Sequence, residues 1–375
     1  MIVKNAIEDN IKYDIFLMIM VFGLLVFGSV MVMSAGSFIA AEKFNNDSYF
    51  TINQTKNAMI AFFALLTGML LNYRIYNTKY LMYAGLGLTV LALMYLLISN
   101  HGESVKGAKR WIFGFQPSEV AKNMIVFYLA FSLDRKRNEL KQFMRGYVYH
   151  MIILSSIVGM VLLQPAFSTS MMIFAIGYSM LYISGMKLKH LMSSMILIIP
   201  VIILIALIQP YRLARVTTFL EPDKDTSGKG WQVEQSLIGF GNGGLTGVGL
   251  GESRQKEFYL PEPHNDFIFS IIGDELGFAG TMLLIAAYVI IMIRGLRIAS
   301  RAPDYYGFIL ASGITMTVVI YSIFNMSITL GLVPPTGLPL PMVSYGGTSL
   351  IMTMFSMGVL LNISYKSKSQ ASKDD

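Results

Sequence analysis

The chain lacks cysteine and is poor in both histidine and charged residues. Without cysteine it can form neither a disulfide nor a thiolate metal site. Its 4 histidines stand at positions 101, 150, 190 and 264, too scattered to indicate a ligand cluster. Only 14% of the 375 residues are charged and 54% are hydrophobic, whereas about a quarter of the residues of a soluble domain are charged. This composition predicts an all-α polytopic membrane protein.

The sequence patterns of several protein classes are also missing. No P-loop, zinc motif or Ser-His-Asp order is visible, and the Gly-rich stretch between residues 228 and 251 has no strand–helix context for a nucleotide fold. The net charge of +7 would suggest nucleic acid in a soluble protein, but here the positive-inside rule accounts for it. We therefore expect no nucleic-acid partner.

Long apolar runs are what the chain has instead, and they predict about ten membrane-spanning helices of about 20 residues each. The first run is long enough to span and no small-residue cleavage site follows it, so we interpret it as a retained helix. Together the runs predict one membrane domain over residues 1–375, with a large loop at 209–274 between the seventh and eighth spans and a tail at 364–375. The predicted spans are residues 13–35, 53–72, 79–98, 117–133, 147–163, 168–185, 190–208, 275–293, 305–328 and 347–363.

Lysine and arginine are concentrated in alternate loops and in both tails. The positive-inside rule then places both termini in the cytoplasm and the 209–274 loop outside. Several basic residues on the outer side oppose this bias, near span ends where a lipid phosphate would lie. They either bind an anionic headgroup or are simply tolerated in long loops. These residues are Lys106, Lys109, Arg110, Arg212, Arg215, Arg254 and Lys256.

Polar residues at the ends of three spans are further candidates. Glu119 and Lys122 are three residues apart and share a helix face, either as a mutually neutralising pair or as part of an anion site. His264 and Asp266 stand where the 209–274 loop meets a span, and ionisable groups at that depth are expensive and usually functional. Prolines in residues 333–341 prevent a regular helix before Ser344, so this segment either lines a wet cavity with an anion site or is a packing plug.

Five motifs in this chain are similar to those of the SEDS family (shape, elongation, division and sporulation). They cover residues 106–112, 116–122, 247–256, 261–269 and 341–347, and read KGAKRWI, QPSEVAK, GVGLGESRQK, PEPHNDFIF and PMVSYGG. They follow the family's order along nearly the whole chain. The run RQKEFYLPEPH, residues 254–264, resembles the FtsW and sporulation branch more than the RodA branch.

The resemblance implies a peptidoglycan glycosyltransferase that polymerises lipid II at the outer face of the bacterial plasma membrane, during division or cell-shape growth. It also implies a single-span class B penicillin-binding transpeptidase as partner, beside other proteins of the division or elongation complex. The family's essential acid corresponds to Asp266, which would be the catalytic base. A divalent cation, Mg²⁺ or Mn²⁺, would fit between phosphate oxygens and a carboxylate. The implied substrate-binding positions are Lys109, Arg110, Glu119, Lys122, Arg215, Gln235, Lys256, His264 and Ser344.

For such an enzyme, a single displacement would expel undecaprenyl pyrophosphate and invert the anomeric centre. The alternatives are a lipid II flippase and a catalytically weakened scaffold. Transporters often show internal repeats, and none is visible here, which favours the enzyme. The scaffold gains weight from one departure, because family members usually have Gln-Pro-Asp where this chain has Gln164-Pro165-Ala166. The missing carboxylate could lower activity, be replaced by a neighbour, or have only a structural role.

Overall fold

Helices coincide with all ten predicted spans in the computed structural model, which describes residues 13–98, 103–105, 108–112, 114–164, 166–208, 217–219 and 228–374. The helices are α1 (Ile15–Phe44), α2 (Tyr49–Leu70), α3 (Lys79–Ile98), α4 (Pro117–Arg135), α5 (Tyr149–Leu163), α6 (Phe167–Ile183), α7 (Leu188–Ile208), α8 (Lys229–Gly243), α9 (Gln255–Phe258), α10 (Ile268–Ser300), α11 (Tyr305–Thr329) and α12 (Gly347–Asp374). The 3₁₀ turns are Tyr73–Asn77 and Arg137–Glu139, and a π-helical turn at Phe143–Val148 leads into α5. Strands β1 (Glu103–Val105) and β2 (Ala108–Trp111) form an antiparallel hairpin before α4.

Among the residues that the structure describes, six helices are apolar and long enough to cross a membrane by length and composition. They are α1, α3, α5 with its preceding turn, α10, α11 and the part of α12 up to Ser369. The prediction of an all-α polytopic membrane protein is confirmed, and the β1–β2 hairpin is the one sheet within the described residues. The number of membrane crossings stays a prediction.

Helix α11 is the central helix of the bundle, since it packs against α4, α6, α8, α10 and α12 and most of its residues are buried. Several of its polar side chains are satisfied within the helix itself. The hydroxyls of Ser312, Thr315 and Ser322 donate to carbonyls four residues earlier, at 2.7–2.8 Å. Such back-bonding lets a hydroxyl occupy an apolar core without an outside partner.

Helix α10 is broken at Gly277, whose φ of 66° and ψ of −164° are not helical. The backbone of residues 244–249 fills the gap with hydrogen bonds, to carbonyls before the break and from amides after it. Irregular backbone inside an apolar span needs partners within the protein, so this loop and α10 form one unit. The predicted boundary at residues 274–275 falls inside the helix, because the helix begins earlier, at Ile268. The bonded pairs are Val248–Asp274, Gly249–Glu275, Phe278–Gly244 and Ala279–Leu245, at 2.9–3.1 Å.

Glycines bring α2 and α12 into close contact. A Cβ built on Gly68 would lie 2.4 Å from the carbonyl oxygen of Phe355, and one on Gly358 would lie 2.2 Å from that of Leu65. Both distances are too short for any side chain. The two helices therefore pack backbone against backbone, as small residues allow in membrane bundles.

Gly358→Ala is expected to lower the thermal unfolding midpoint in detergent, because the added Cβ would meet the backbone of Leu65 and push α2 away from α12. Overpacking of this kind costs about 1–3 kcal/mol. Gly159→Ala in α5 is the matched control, since a Cβ there meets nothing within 4 Å. Equal midpoints for the two variants would contradict the close packing of α2 and α12.

Candidate active site

Asp266 lies half-buried in the segment between α9 and α10. Asn325, on α11, donates from Nδ2 to the carbonyl of Asp266 at 2.9 Å and to that of Leu338 at 2.7 Å. A Cβ built on Gly337 would lie 3.0 Å from Asp266 Oδ2, and Gly337 itself is exposed. The carboxylate thus stands between the two loops that precede α10 and α12. We call this part of the bundle the Asp266 end.

Ser344 joins the same two loops. Its hydroxyl donates to the carbonyl of Asn265 at 2.7 Å and accepts from the amide of Leu340 at 2.8 Å. The amide of Tyr345 donates to the carbonyl of His264 at 2.9 Å. Ser344 is therefore close to the predicted acid, and its hydroxyl is engaged in fixing the loops.

His264 is buried in an aromatic cluster. The centre of its ring lies 4.0 Å from that of Phe50 and 5.5 Å from that of Tyr345. Burial raises the pKa of the Tyr345 hydroxyl, which therefore stays neutral at ordinary pH. Because Phe50 belongs to α2, the cluster connects the start of that helix to the loop before α12.

Glu119 and Lys122 form a buried ion pair on α4. Lys122 Nζ lies 2.6 Å from Glu119 Oε2, and both side chains are almost fully buried. The same Nζ lies 4.2 Å from the ring centre of Tyr321 on α11. The shared helix face predicted from their spacing is confirmed. In this arrangement the ammonium is neutralised by Glu119 and covered by an aromatic ring.

One face of α11 connects these groups. Tyr321, Asn325 and Thr329 follow one another at intervals of four residues, about 6 Å along the helix, and so share a face. Tyr321 contacts the ammonium from α4, Asn325 holds the Asp266 segment, and the Thr329 carbonyl accepts from Ser236 Oγ of α8 at 2.7 Å. Sequence reasoning missed Asn325. The available signal was an amide side chain inside an apolar span. A hydroxyl there can bond to a carbonyl of its own helix, whereas an amide has two N–H donors and an acceptor that need partners elsewhere.

The remaining predicted positions are described only in part. Gln235 lies half-buried on α8, next to Ser236, whose carbonyl accepts from Ser270 Oγ of α10 at 3.0 Å. The backbone of Lys109 and Arg110 forms β2, and their side chains lie outside the described part of the structure. The predicted site for an anionic headgroup therefore stays a prediction. Three further basic residues lie entirely outside the described residues, namely Lys106, Arg212 and Arg215.

Lys256 is buried, and its ammonium is fully hydrogen-bonded. Nζ lies 2.6 Å from Glu275 Oε1, 3.1 Å from Ser34 Oγ and 2.7 Å from the carbonyl oxygen of Gly251. These contacts use all three N–H donors of the group. Lys256 therefore ties the loop before α9 to both α1 and α10, close to the break in α10. Its contact with a substrate stays a prediction.

Lys256→Met is expected to lower the free energy of unfolding by about 3–5 kcal/mol, because Glu275 would stay buried without its counter-charge. The double variant Lys256→Met, Glu275→Leu removes both charges and should recover most of the loss. Unfolding midpoints in detergent measure both effects. A double variant less stable than Lys256→Met would contradict the assignment of the cost to the stranded carboxylate.

The described residues contain no group of three or more His, Cys, Asp or Glu side chains that could hold a metal ion. Two acids near the site already have partners, since Glu275 pairs with Lys256 and Asp274 accepts from Ser253 Oγ at 2.6 Å. These residues do not fit a metal site made by the protein alone. The cation expected between phosphate oxygens and a carboxylate stays a prediction.

Ala166 is the N-cap residue of α6, and it is buried. Its carbonyl accepts from the amide and the hydroxyl of Ser170 at 3.0 and 2.9 Å, but its methyl group offers the first helical turn no acceptor. Aspartate is among the favoured N-cap residues, because its carboxylate accepts from the free amides of that turn. The position therefore favours the structural interpretation of the missing carboxylate.

Ala166→Asp is expected to raise the free energy of unfolding by about 1 kcal/mol, the usual gain from an N-cap side chain. Ala166→Asn is the matched variant, since its amide oxygen can cap without adding a charge. Thermal unfolding of both proteins in detergent measures the gain. Stabilisation by Asp but not by Asn would show that charge, and not capping, matters at this position.

Comparisons with known proteins agree with this architecture. The FtsW/RodA/SpoVE family model, described as "Cell cycle protein", matches residues 15–369. A probable peptidoglycan glycosyltransferase FtsW of Trichlorobacter lovleyi is 39% identical over 357 residues, covering 94% of this chain and 93% of the relative. Stage V sporulation protein E of Bacillus subtilis is 37% identical over 361 residues, covering 95% and 98%.

Solved structures show the same fold. A chain from a study titled "Structural coordination of polymerization and crosslinking by a peptidoglycan synthase complex" superposes with a TM-score of 0.78 at 26% identity, over 96% of this chain and 99% of the other. The rod shape determining protein RodA of Thermus thermophilus superposes with a TM-score of 0.69 at 24% identity, over 95% and 98%. The latter likeness concerns the fold alone.

Fold and site together define a multi-pass bacterial membrane protein with a half-buried acid at one end of its helix bundle. The chain belongs to the FtsW/RodA/SpoVE family of cell cycle proteins. The family predicted from its five motifs is thereby confirmed, and similar relatives include FtsW and sporulation proteins, as the branch prediction expected.

Proposed function

We propose that the chain is a peptidoglycan glycosyltransferase that polymerises lipid II. Relatives named probable peptidoglycan glycosyltransferases share 37–39% of its residues over at least 93% of their length, which supports this activity. The observation that carries the proposal is the Asp266 carboxylate, half-buried beside the exposed Gly337 at the meeting point of two loops. A carboxylate in that position is partly shielded from water and still open to a substrate.

In the proposed reaction, a sugar hydroxyl of one lipid II attacks the anomeric carbon of another. A C–O bond forms to the hydroxyl oxygen while the bond to the pyrophosphate oxygen breaks. Asp266 takes the proton of the attacking hydroxyl, and undecaprenyl pyrophosphate leaves with the bonding electron pair. A general base of this kind contributes about 10²–10⁴-fold to the rate. The single displacement inverts the anomeric centre.

Charge grows on the leaving pyrophosphate and has to be stabilised by donors already in place. Lys109, Arg110 and Arg215 are the proposed cations for this task. Lys122 is engaged with Glu119 at 2.6 Å, so we assign that pair the role of shaping the site until a substrate phosphate competes for the ammonium. Arginine suits bidentate contact with phosphate, whereas lysine neutralises it as a point charge.

The proposed location is the bacterial plasma membrane, with both termini in the cytoplasm and the Asp266 end outside. The proposed partner is a single-span class B penicillin-binding transpeptidase, within a division or elongation complex. Support comes from the likeness to a chain of a peptidoglycan synthase complex, whose study concerns both polymerisation and crosslinking. Supply of lipid II on the outer side would let the two activities act in succession.

A lipid II flippase is the second candidate, and the break in α10 at Gly277 favours it. Broken helices are common around the substrate sites of transporters. Here, however, both sides of the break are hydrogen-bonded to residues 244–249. These bonds hold the two parts of α10 in one arrangement, whereas a transporter has to alternate between two. The enzyme remains the better-supported function, and one assay separates the two.

Asp266→Asn is expected to reduce polymerisation by about 10²–10⁴-fold, because the amide keeps the shape of the carboxylate but cannot accept the hydroxyl proton. The measurement uses purified protein with its transpeptidase partner and labelled lipid II, with glycan strands resolved by length. Asp47→Asn is the matched control, since Asp47 is an exposed acid at the same end of the bundle.

Glycan strands at the parent rate from the parent chain and from Asp47→Asn, with a residual rate lower by that factor from Asp266→Asn, are the expected result. Polymerisation by Asp266→Asn at the parent rate would refute the assignment of the base. Translocation of lipid II without any glycan product would favour the flippase, and neither activity would favour the scaffold.

A further inference from the structure

We propose that Asn325 is a positioning residue of the glycosyltransferase site: its side-chain amide fixes the Asp266 carboxylate by tying together the two loops that form the site. This inference rests on the proposed role of Asp266 as the base. It adds a residue from α11 to the two loops that hold Asp266. Asn325 touches neither substrate nor leaving group in the proposed reaction, and acts only through Asp266.

The contacts of Asn325 determine the orientation of its amide. The side chain is fully buried, and both of its neighbours at Nδ2 are backbone carbonyls, those of Asp266 at 2.9 Å and Leu338 at 2.7 Å. Carbonyls only accept hydrogen bonds, so the NH₂ group must face them. Each of its two hydrogens then serves a different loop, and one planar group sets the distance between them.

The carbonyl oxygen of the side-chain amide indicates that asparagine is present at this position because of its two N–H donors. Asn325 Oδ1 is buried and has no hydrogen-bond partner among the described residues. An unsatisfied buried acceptor costs about 1–3 kcal/mol, a cost that a leucine, with the same number and branching of side-chain heavy atoms, would avoid. A side chain that served packing alone would therefore be better replaced by leucine. The two donated hydrogen bonds are what asparagine adds.

We call the two hydrogen bonds donated by Asn325 the clamp. The carbonyl of Leu338 explains how the clamp affects the Asp266 carboxylate. Leu338 directly follows Gly337, and a Cβ on Gly337 would lie 3.0 Å from Asp266 Oδ2. Asn325 thus holds both the backbone that carries the carboxylate and the backbone against which the carboxylate lies. Releasing either carbonyl would let the acid shift relative to its substrate, and a misplacement of about 1 Å can cost 10²-fold in rate.

Loss of the clamp should loosen the site without unfolding the protein. The two loops stay joined by the hydrogen bond from Ser344 to the Asn265 carbonyl and by that from the Tyr345 amide to the His264 carbonyl. These bonds hold the carbonyls of the two residues before Asp266, whereas Asn325 holds the carbonyl of Asp266 itself. The expected consequence is a local shift of Asp266 within a folded bundle.

The test compares Asn325→Leu and Asn325→Asp with a matched control. Both variants keep the approximate size of the side chain and remove the two donors, and the aspartate adds repulsion toward both carbonyls. Asn362→Leu is the control, because Asn362 is also a buried amide that joins two elements, accepting from the Tyr73 amide at 2.9 Å and donating to the Met69 carbonyl at 2.7 Å. It lies at the opposite end of the bundle.

With the transpeptidase partner present, kcat for lipid II polymerisation should fall about 10²-fold in Asn325→Leu, and further in Asn325→Asp, with KM nearly unchanged. Asn362→Leu should lower the unfolding midpoint but leave kcat per folded molecule at the parent value. Gly337→Ala should reproduce the loss of kcat by pushing on the carboxylate while Asn325 stays intact. In an Asp266→Asn background, Asn325→Leu should cause no further loss, since its effect passes through the missing base.

A readout independent of activity uses the absence of cysteine from the chain. A spin label on Thr336→Cys reports on the loop that Asn325 holds, and its mobility should rise in Asn325→Leu but not in Asn362→Leu. Unchanged kcat and unchanged mobility in folded Asn325→Leu would overturn the inference. So would equal losses of kcat from Asn325→Leu and Asn362→Leu, or a further loss in the Asp266→Asn background. Full activity of Asp266→Asn would instead overturn the proposed base, and the label would still show whether Asn325 fixes the loop.

Discussion

Irregular backbone inside an apolar helix bundle has to find its hydrogen-bond partners within the protein, because lipid offers none. Among the described residues, two such segments are the break in α10 at Gly277 and the loop before α12. Residues 244–249 satisfy the first, whereas the side chains of Ser344 and Asn325 satisfy part of the second. Of the two, the loop before α12 contacts the Asp266 segment, whereas the break lies eleven residues beyond Asp266 in the sequence. The hydrogen bonds that satisfy the loop before α12 are therefore the ones that hold the proposed base in place.

The buried charges also find their partners within the protein. Lys256 pairs with Glu275 next to the break, and Lys122 pairs with Glu119 under an aromatic ring. A lone charge in such surroundings would cost several kcal/mol, so each charge is found with its partner. Their main effect in this structure is to lock loops and helices together. Cations for an anionic headgroup are then expected among the basic residues of the loops.

The sequence was sufficient for much of the fold, because long apolar runs have few alternatives to a helix in a membrane. It was insufficient where a single residue changes the path of the chain. In the sequence Gly277 looks like any glycine in an apolar run. The break becomes visible only in the structure, where residues 244–249 are hydrogen-bonded to both sides of it. For the site, Asp266 and Ser344 were predicted from motifs and from their places near span ends, and the structure brings their loops into contact. Asn325 was missed because its partners, two backbone carbonyls in distant loops, leave no trace in a single sequence.

The central claim is that the substrate headgroup binds where the loops before α10 and α12 meet. The most direct test places a photoreactive amino acid at Thr336, next to the exposed Gly337 that lies beside Asp266 Oδ2, and irradiates the protein with headgroup-labelled lipid II. The same amino acid at the exposed Arg74, at the opposite end, is the control. We expect crosslinking at 336 that unlabelled lipid II competes away, and little at 74. Equal crosslinking at both positions, or crosslinking only at 74, would contradict it.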